Sequence, residues 1–261
     1  LAPSNKTYLK GLGDVAPGEV SGRNYHFGIR ELAMAAIVNG ITAFDGTLRG
    51  YGATFFVFSD YCKPAIRLAA LMELPSIFVF SHDSYCVGED GPTHEPVEHI
   101  AALRTMPNVM AWRPADAVET GYAWVEMLKH RTGPSCILTT RQNVPILEGV
   151  TAEGVAKGGY VVYSAGTQDA NTVLYLASGS EVSLAVDAAR RLAAEGVGVR
   201  VVSLPCVERF LAQLPAYREE VLPQSMAKRV IVEAGSRLGL DSFRLDARTT
   251  AYVTLDRFGA S

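Results

Sequence analysis

Residues 81–96 read Ser-His-Asp-Ser-Tyr-Cys-Val-Gly-Glu-Asp-Gly-Pro-Thr-His-Glu-Pro, and within them His82, Asp83, Glu89, Asp90 and His94 fall inside thirteen positions. An imidazole titrates near neutrality and can give and take the same proton across a reaction cycle, so a loop with two of them beside carboxylates is a candidate for proton transfer. Gly88, Gly91 and Pro92 could shape an ordinary surface turn that Asp and Glu solvate. Such a turn needs no pair of imidazoles, and the density of titratable groups favours a functional loop.

The elements around the loop put it where ligands bind. Pro75 and the apolar run 76–80 read as a buried strand of a parallel sheet, so the loop leaves a strand's carboxyl end, the edge at which open α/β sheets hold ligands. Upstream, residues 28–44 read as a helix whose apolar face is Leu32, Ala36 and residues 38–41. Glu31 lies in its first turn, where the helix dipole favours a carboxylate even without a function. Residues 52–58 have strand composition and 60–72 are helical; three aromatics at 55, 56 and 58 ordinarily mean core.

Downstream, a helix at 97–104, a strand at 108–112, a helix from the N-cap Asp116 to residue 130 and a strand at Ser135–Thr139 follow, delivering Arg141 to the same sheet edge. His99 and His130 read as ordinary surface or boundary residues. Residues 148–166 are richer in Gly and polar types and suggest a domain break. A strand at 159–163, a strand at Val173–Ala177, a helix at 180–194 and a strand at 199–204 then repeat the βαβ pattern. Neither a GxGxxG nor a GxxxxGK[ST] motif occurs, so nucleotide binding has no support.

Composition narrows the partners. The chain has 261 residues, 48% hydrophobic and 20% charged, with a net charge of −3, which gives no reason to expect nucleic acid or an anionic membrane. No apolar run approaches the roughly 20 residues of a membrane span. Four scattered cysteines without CxxC spacing favour reduced thiols in a cytoplasmic protein. The lack of an initial Met suggests a start part-way through a larger protein.

The loop also carries a family resemblance. His-Asp-Ser followed by Gly-Glu-Asp-Gly-Pro-Thr-His-Glu-Pro resembles the signature of transketolases, which are thiamin diphosphate enzymes. The likeness extends through Pro3-Ser4-Asn5, Gly28-Ile29-Arg30-Glu31, the aromatics Phe55, Phe58 and Tyr61, Trp112-Arg113-Pro114-Ala115-Asp116, Arg141-Gln142-Asn143, Gly179-Ser180-Glu181-Val182 and Asp256-Arg257-Phe258-Gly259. It implies two doubly wound α/β domains: a pyrimidine-binding domain at 1–150, a linker at 151–165, and a smaller, apparently truncated C-terminal domain at 166–261.

By resemblance, Glu31 hydrogen-bonds the aminopyrimidine of thiamin diphosphate and favours the imino tautomer that deprotonates the thiazolium. Phe55, Phe58 and Tyr61 form the ring's aromatic pocket, Phe58 stacking on it. His94 contacts the donor carbonyl or adjacent hydroxyl, Asp90 the sugar hydroxyls, and Ser4, His82 and Arg141 the sugar phosphate. One departure stands inside the signature: the family usually has a small or aliphatic residue followed by Gly at Tyr85-Cys86, so the loop backbone is expected to differ there.

The family's GDG motif and following Asn, which hold the diphosphate and its Mg²⁺ or Ca²⁺, are absent, and no metal ligands are assigned to this chain. The resemblance implies a homodimer or a partner chain that supplies the diphosphate-binding half. The implied reaction moves a two-carbon ketol unit from xylulose 5-phosphate to ribose 5-phosphate or erythrose 4-phosphate in the pentose phosphate pathway. Alternatives are a dihydroxyacetone synthase-like or deoxyxylulose-phosphate synthase-like enzyme, or a non-catalytic assembly module.

Overall fold

All five residues of the run 77–81 are buried, so both faces of that strand must be covered. The computed structural model describes residues 2–45 and 47–259. Its elements run α1 (Ala2–Asn5), α2 (Glu31–Asp45), β1 (Tyr51–Phe55), α3 (Ser59–Leu71), β2 (Ile77–Ser81), α4 (His99–Arg104), β3 (Met110–Trp112), α5 (Ala117–Lys129) and β4 (Ser135–Thr139). They continue α6 (Ala152–Lys157), β5 (Tyr160–Ala165), β6 (Val173–Ala177), α7 (Glu181–Ala194), β7 (Val199–Ser203), α8 (Val207–Leu211), α9 (Pro215–Val221), β8 (Lys228–Ser236) and β9 (Thr250–Leu255).

Two parallel-dominated sheets result. The first has the order β1-β2-β4-β3 with every pairing parallel. The second has the order β5-β7-β6-β8-β9, parallel except for β5, which pairs β7 antiparallel. Strand periodicity divides the core. Phe78 and Phe80 of β2 pack with Met34, Val38, Phe56 and Ile66 on one face. Ile77 and Val79 point the other way, into a cluster shared with Tyr175, Ala177, Val199 and Val201 of the second sheet. Leu174 and Leu176 face a third cluster with Phe210 and Phe243. The two sheets are therefore joined by a common hydrophobic core.

Several expected boundaries move, each for a local reason. The helix expected from 28 starts at Glu31, because Gly28 sits at φ +62, outside the helical region. Its buried face is Met34, Ala35, Val38, Asn39 and Thr42, and Leu32 is exposed. The strand expected over 52–58 ends at Phe55; residues 56–58 form a 3₁₀ turn that seats Phe56 in the core and starts α3. The strand expected from 108 starts at Met110, since Asn108 adopts φ +65 and its side-chain amide donates to the carbonyls of Ala70 and Thr132. The span 151–165, expected as a linker, holds α6 and β5; Thr151 caps α6 by accepting from Gly154 N at 3.1 Å. His99, expected near the surface, is buried against the Phe56 ring. Asp116 is the N-cap of α5, accepting from Glu119 N at 2.8 Å. Among the described residues, no helix is long and apolar enough to cross a membrane.

Candidate functional site at the carboxyl edge of the first sheet

Register across the first sheet pairs Phe55 with Ser81 and Ser81 with Thr139. The segments that follow β1, β2 and β4 therefore emerge side by side and carry, in turn, the aromatic row, the histidine loop and Arg141. Phe55 is buried, with the His82 ring against it at a centroid distance of 3.8 Å and a tilt of 34°. Phe55 and Phe58 lie 6.4 Å apart, Phe58 and Tyr61 6.1 Å, and His94 presents its ring to Phe58 edge-to-face at 5.3 Å. Tyr61, 62% exposed, and the half-buried Phe58 leave aromatic surface open beyond that row.

The chain turns sharply into the histidine loop: His82 takes φ +60 immediately after β2, a left-handed angle that His tolerates better than most residues. Ser81 Oγ donates to Asn5 Oδ1 at 2.8 Å, the amide orientation being assigned from this contact. A hydroxyl has one proton, so at 2.9 Å from His82 Nδ1 the same Oγ accepts. With the amide so assigned, the tautomer that lets Ser81 keep both contacts has the proton on Nδ1 and leaves Nε2 as an acceptor. Burial lowers the His82 pKa; Asp90 pushes it up, while Arg141 and His94 push it further down. Two side chains of the same loop and one from beyond β4 thus act on one imidazole. Arg141 lies against the loop at Gly88, where an added Cβ would stand 3.2 Å from the guanidinium carbon. His94 Nδ1 pairs with Thr93 Oγ1 at 2.9 Å. Cys86 is absent from the left-handed residues, and the positive φ near it falls on Gly88 at +82, so this loop forms without a second glycine at position 86.

Glu31 opens α2 with 9% of its surface exposed. No hydrogen bond or ion pair reaches its carboxylate among the described residues. Its carbonyl accepts from Cys62 Sγ at 3.6 Å, which ties α2 to the residue after Tyr61. Burial, aided by the Glu31 charge, pushes the Cys62 thiol up to about 12. Ser4 is exposed beside Asn5; Asn5, rather than Ser4, bonds into the Ser81–His82 pair.

A second set of polar groups, to which the sequence reading gave no role, lies at the seam between the sheets. Arg113, at the end of β3, is fully buried. Its Nε donates to Asp83 Oδ2 at 2.8 Å, and its Nη1 donates to Ser178 O at 2.8 Å and to Glu181. Glu181 also accepts from Ala234 N at 2.9 Å and from Ser180 Oγ at 2.6 Å. Ser178 Oγ donates to Glu233 at 2.7 Å, and Glu233 in turn pairs with Arg104. Burial opposes the Arg113 charge, but Asp83 and Glu181 outweigh it and hold its pKa above the ordinary value. Gly179, at φ +60, admits this arginine: a Cβ there would lie 2.6 Å from the guanidinium carbon. The seam reaches the open edge twice, through Asp83 next to His82 and through Gln142, which donates to Ser180 Oγ at 3.1 Å next to Arg141. Its only sequence signal was position, inside the Trp-Arg-Pro-Ala-Asp and Gly-Ser-Glu-Val runs.

Parallel sheets with polar groups gathered at their strand ends define an α/β protein with the arrangement at which open sheets hold ligands. Comparison with known proteins makes this specific. Residues 1–146 match the family model "Transketolase, pyrimidine binding domain", and residues 158–261 match "Transketolase-like TK C-terminal domain". The chain is 52% identical over 264 residues to the transketolase of Geobacillus stearothermophilus and 49% identical over 264 residues to that of Bacillus subtilis. Each alignment covers 100% of this chain and 39% of the relative. The solved transketolase of Leishmania mexicana superposes with a TM-score of 0.91 at 44% identity, over 100% of this chain and 38% of that one. A Pichia stipitis transketolase solved with xylulose 5-phosphate gives 0.90 at 41%, with the same coverage. The chain belongs to the transketolase family and spans about two fifths of the length of these relatives. A chain titled split gene transketolase, inactive beta4 tetramer, shares the fold at a TM-score of 0.71 and 21% identity, over 90% of this chain and 75% of that one.

Proposed function

We propose that this chain supplies the pyrimidine side of a thiamin diphosphate site and takes part in moving a two-carbon ketol unit from xylulose 5-phosphate to ribose 5-phosphate or erythrose 4-phosphate, a reaction of the pentose phosphate pathway. The observation that carries the reading is Glu31: a largely buried carboxylate with no partner among the described residues, on the helix that packs beside the aromatic row. An unbonded carboxylate in a largely buried residue can take a donor, and the ring N–H of the aminopyrimidine's imino tautomer supplies one. Phe58 and Tyr61 offer the flat apolar surface such a ring needs, so the residues present fit this end of the cofactor. Thiamin diphosphate supplies the electron sink for breaking and remaking the carbon–carbon bond.

This chain's residues bind and hold protons. His94, fixed by Thr93 and the edge of Phe58, is placed to pass a proton to and from the sugar's oxygen beside the reacting carbon. Asp90 takes the sugar hydroxyls, and Ser4, His82 and Arg141 take the phosphate, Arg141 through its planar fork. Since neutral His82 presents an acceptor at Nε2, a phosphate dianion binds there with uptake of a proton.

The pyrimidine-binding part occupies 1–150 and the C-terminal part 166–261. The diphosphate and its Mg²⁺ or Ca²⁺ are held by a segment or partner chain outside these residues, in a homodimer or a two-chain enzyme. Exposed Ile29, Leu32, Phe44, Leu71 and Met72 support such a partner surface. A relative described as split-gene offers a precedent at the level of fold. Four free cysteines support a reducing, cytoplasmic setting.

The test is ketol transfer with thiamin diphosphate and Mg²⁺, by this chain alone and with a transketolase diphosphate-binding half added. Activity that appears on addition and disappears in Glu31→Gln supports the reading. A folded complex without activity overturns it.

A further inference from the structure

Away from the aromatic faces, another group of side chains has the spacing of metal ligands. Asp60, in the first turn of α3, and Glu98 and His99, at the start of α4, each offer one ligand atom, all within 4.8 Å of one another. His99 Nε2 lies 3.4 Å from Asp60 Oδ2, and its Nδ1 lies 3.8 Å from Glu98 Oε2. Neither contact is a hydrogen bond. Both ring nitrogens are buried without a hydrogen-bond partner, in a residue only 5% exposed. Leaving a buried polar group unsatisfied is costly. The ring packs against Phe56 at a centroid distance of 5.6 Å and an angle of 60°, which limits how far it can turn toward water.

An ion takes only one ring nitrogen, so the nearer pair, Nε2 and Asp60 Oδ2 at 3.4 Å, sets the site and the Glu98 carboxylate must swing toward it from the Nδ1 side. Tetrahedral metal bonds of about 2.0–2.1 Å put neighbouring ligand atoms roughly 3.3–3.4 Å apart. Asp60 and Glu98 are exposed, so their carboxylates can rotate to close the remaining distance while the imidazole stays fixed. Lys63 holds the other Asp60 oxygen at 2.6 Å and leaves Oδ2 turned toward His99. Two carboxylates and a neutral imidazole offer a divalent ion two negative charges, one of them shared with the Lys63 ammonium.

The geometry points to Asp60, Glu98 and His99 as a binding site for one divalent transition-metal ion, zinc ahead of manganese by the usual affinity order, with water completing the shell. An ion there ties the start of α3, next to Tyr61, to the start of α4, a few residues beyond His94. The inference goes beyond the ketol-transfer reading and does not depend on it.

The experiment uses the chelator-stripped chain without thiamin diphosphate, so its failure and that of the ketol-transfer reading are separable. Zinc is titrated by calorimetry and thermal unfolding, and cobalt is used as a spectroscopic stand-in. The expected result is one equivalent of zinc bound, a raised unfolding midpoint, and a cobalt d–d spectrum without thiolate charge transfer. Glu98→Gln and Asp60→Asn, both at exposed positions, should keep the metal-free midpoint and each weaken zinc binding by at least about tenfold. No saturable binding, equal binding in the parent and both variants, or a thiolate band would each overturn the assignment; the last would place the metal on a cysteine.

Discussion

Glu31 and Glu181 make a matched pair. Each is the first residue of a helix, and they are buried to similar degrees, 9% and 6% exposed. Glu181 accepts from Arg113, from Ala234 N and from Ser180 Oγ. Glu31 has no side-chain partner among the described residues. The same side chain at the same helix position is thus saturated at the seam and left open at the sheet edge. Within one fold, the Arg113 network is bonded largely inside the chain, although Arg113 Nη2 and Asp83 Oδ1 stay without a hydrogen-bond partner, and what sets Glu31 apart is that its whole carboxylate is unbonded at the open sheet edge.

The largest effect that bears on this contrast belongs to Arg113. Arg113→Met removes the guanidinium and strands Asp83 and Glu181 in the seam, a loss of about 3–5 kcal/mol for a broken buried pair. In a chain of this size that lowers the unfolding midpoint by on the order of 10 °C. The triple variant Arg113→Met, Asp83→Leu, Glu181→Leu should recover much of the loss, because no uncompensated charge remains. A thermal scan in which Arg113→Met unfolds within a degree of the parent would remove the seam's claim to hold the sheets.

The glutamates themselves come next. Glu181→Gln weakens charge-assisted hydrogen bonds and should cost roughly 1.5–3 kcal/mol. Glu31→Gln should change stability by under about 1 kcal/mol, because it exchanges a small helix-dipole gain for relief of an unpaired buried charge. It should nevertheless abolish ketol transfer in the assembled enzyme. Denaturant titration of the two variants gives the comparison directly, and equal losses would erase it.

Glycines test the same distinction at smaller scale. Gly179 and Gly88 both hold left-handed angles, φ +60 and +82, and each faces an arginine. Alanine at either carries the left-handed penalty of roughly 1–2 kcal/mol. At Gly179 the added Cβ also meets a guanidinium locked at 2.6 Å, whereas at Gly88 the exposed Arg141, at 3.2 Å, can swing aside. Gly179→Ala should therefore be the more destabilising by about 1 kcal/mol or more.

The open edge was legible in the sequence because its residues sit in short runs: the histidine loop, the aromatic row and Arg141 each follow a strand whose apolar composition announces it. The seam was not legible. Arg113, Glu181 and Glu233 come from different strand ends and helix starts, and only tertiary packing makes them neighbours. Asp83 stands in the loop's run of titratable groups, but its partner 30 residues away carried no local sign. Element boundaries shifted where a single residue took an angle that its type does not dictate, as at Asn108, or where apolar residues lay on the unexpected face of a helix, as at Leu32. The buried His99 escaped because periodicity over the six-residue α4 is too short to fix which face turns inward.

The smallest predicted effect is the proton linkage of His82. Burial depresses its folded pKa below the ordinary imidazole value of about 6.5. Between those two values the unfolded chain binds the proton more readily than the folded one, so stability falls as pH drops through this window and is unaffected by His82 above it. His82→Asn, which keeps a residue tolerant of φ +60, should flatten that part of the profile relative to the parent. His130, whose pKa is also lowered by burial, titrates in both proteins and cancels in the difference. Inorganic phosphate sharpens the test. If His82 and Arg141 take the anion with uptake of a proton, phosphate should stabilise the parent more at the acid end of the window than at neutral pH, and should do so far less in His82→Asn. Identical slopes in the two proteins, with and without phosphate, would mean that His82 belongs with the buried groups of the seam and not with the open edge.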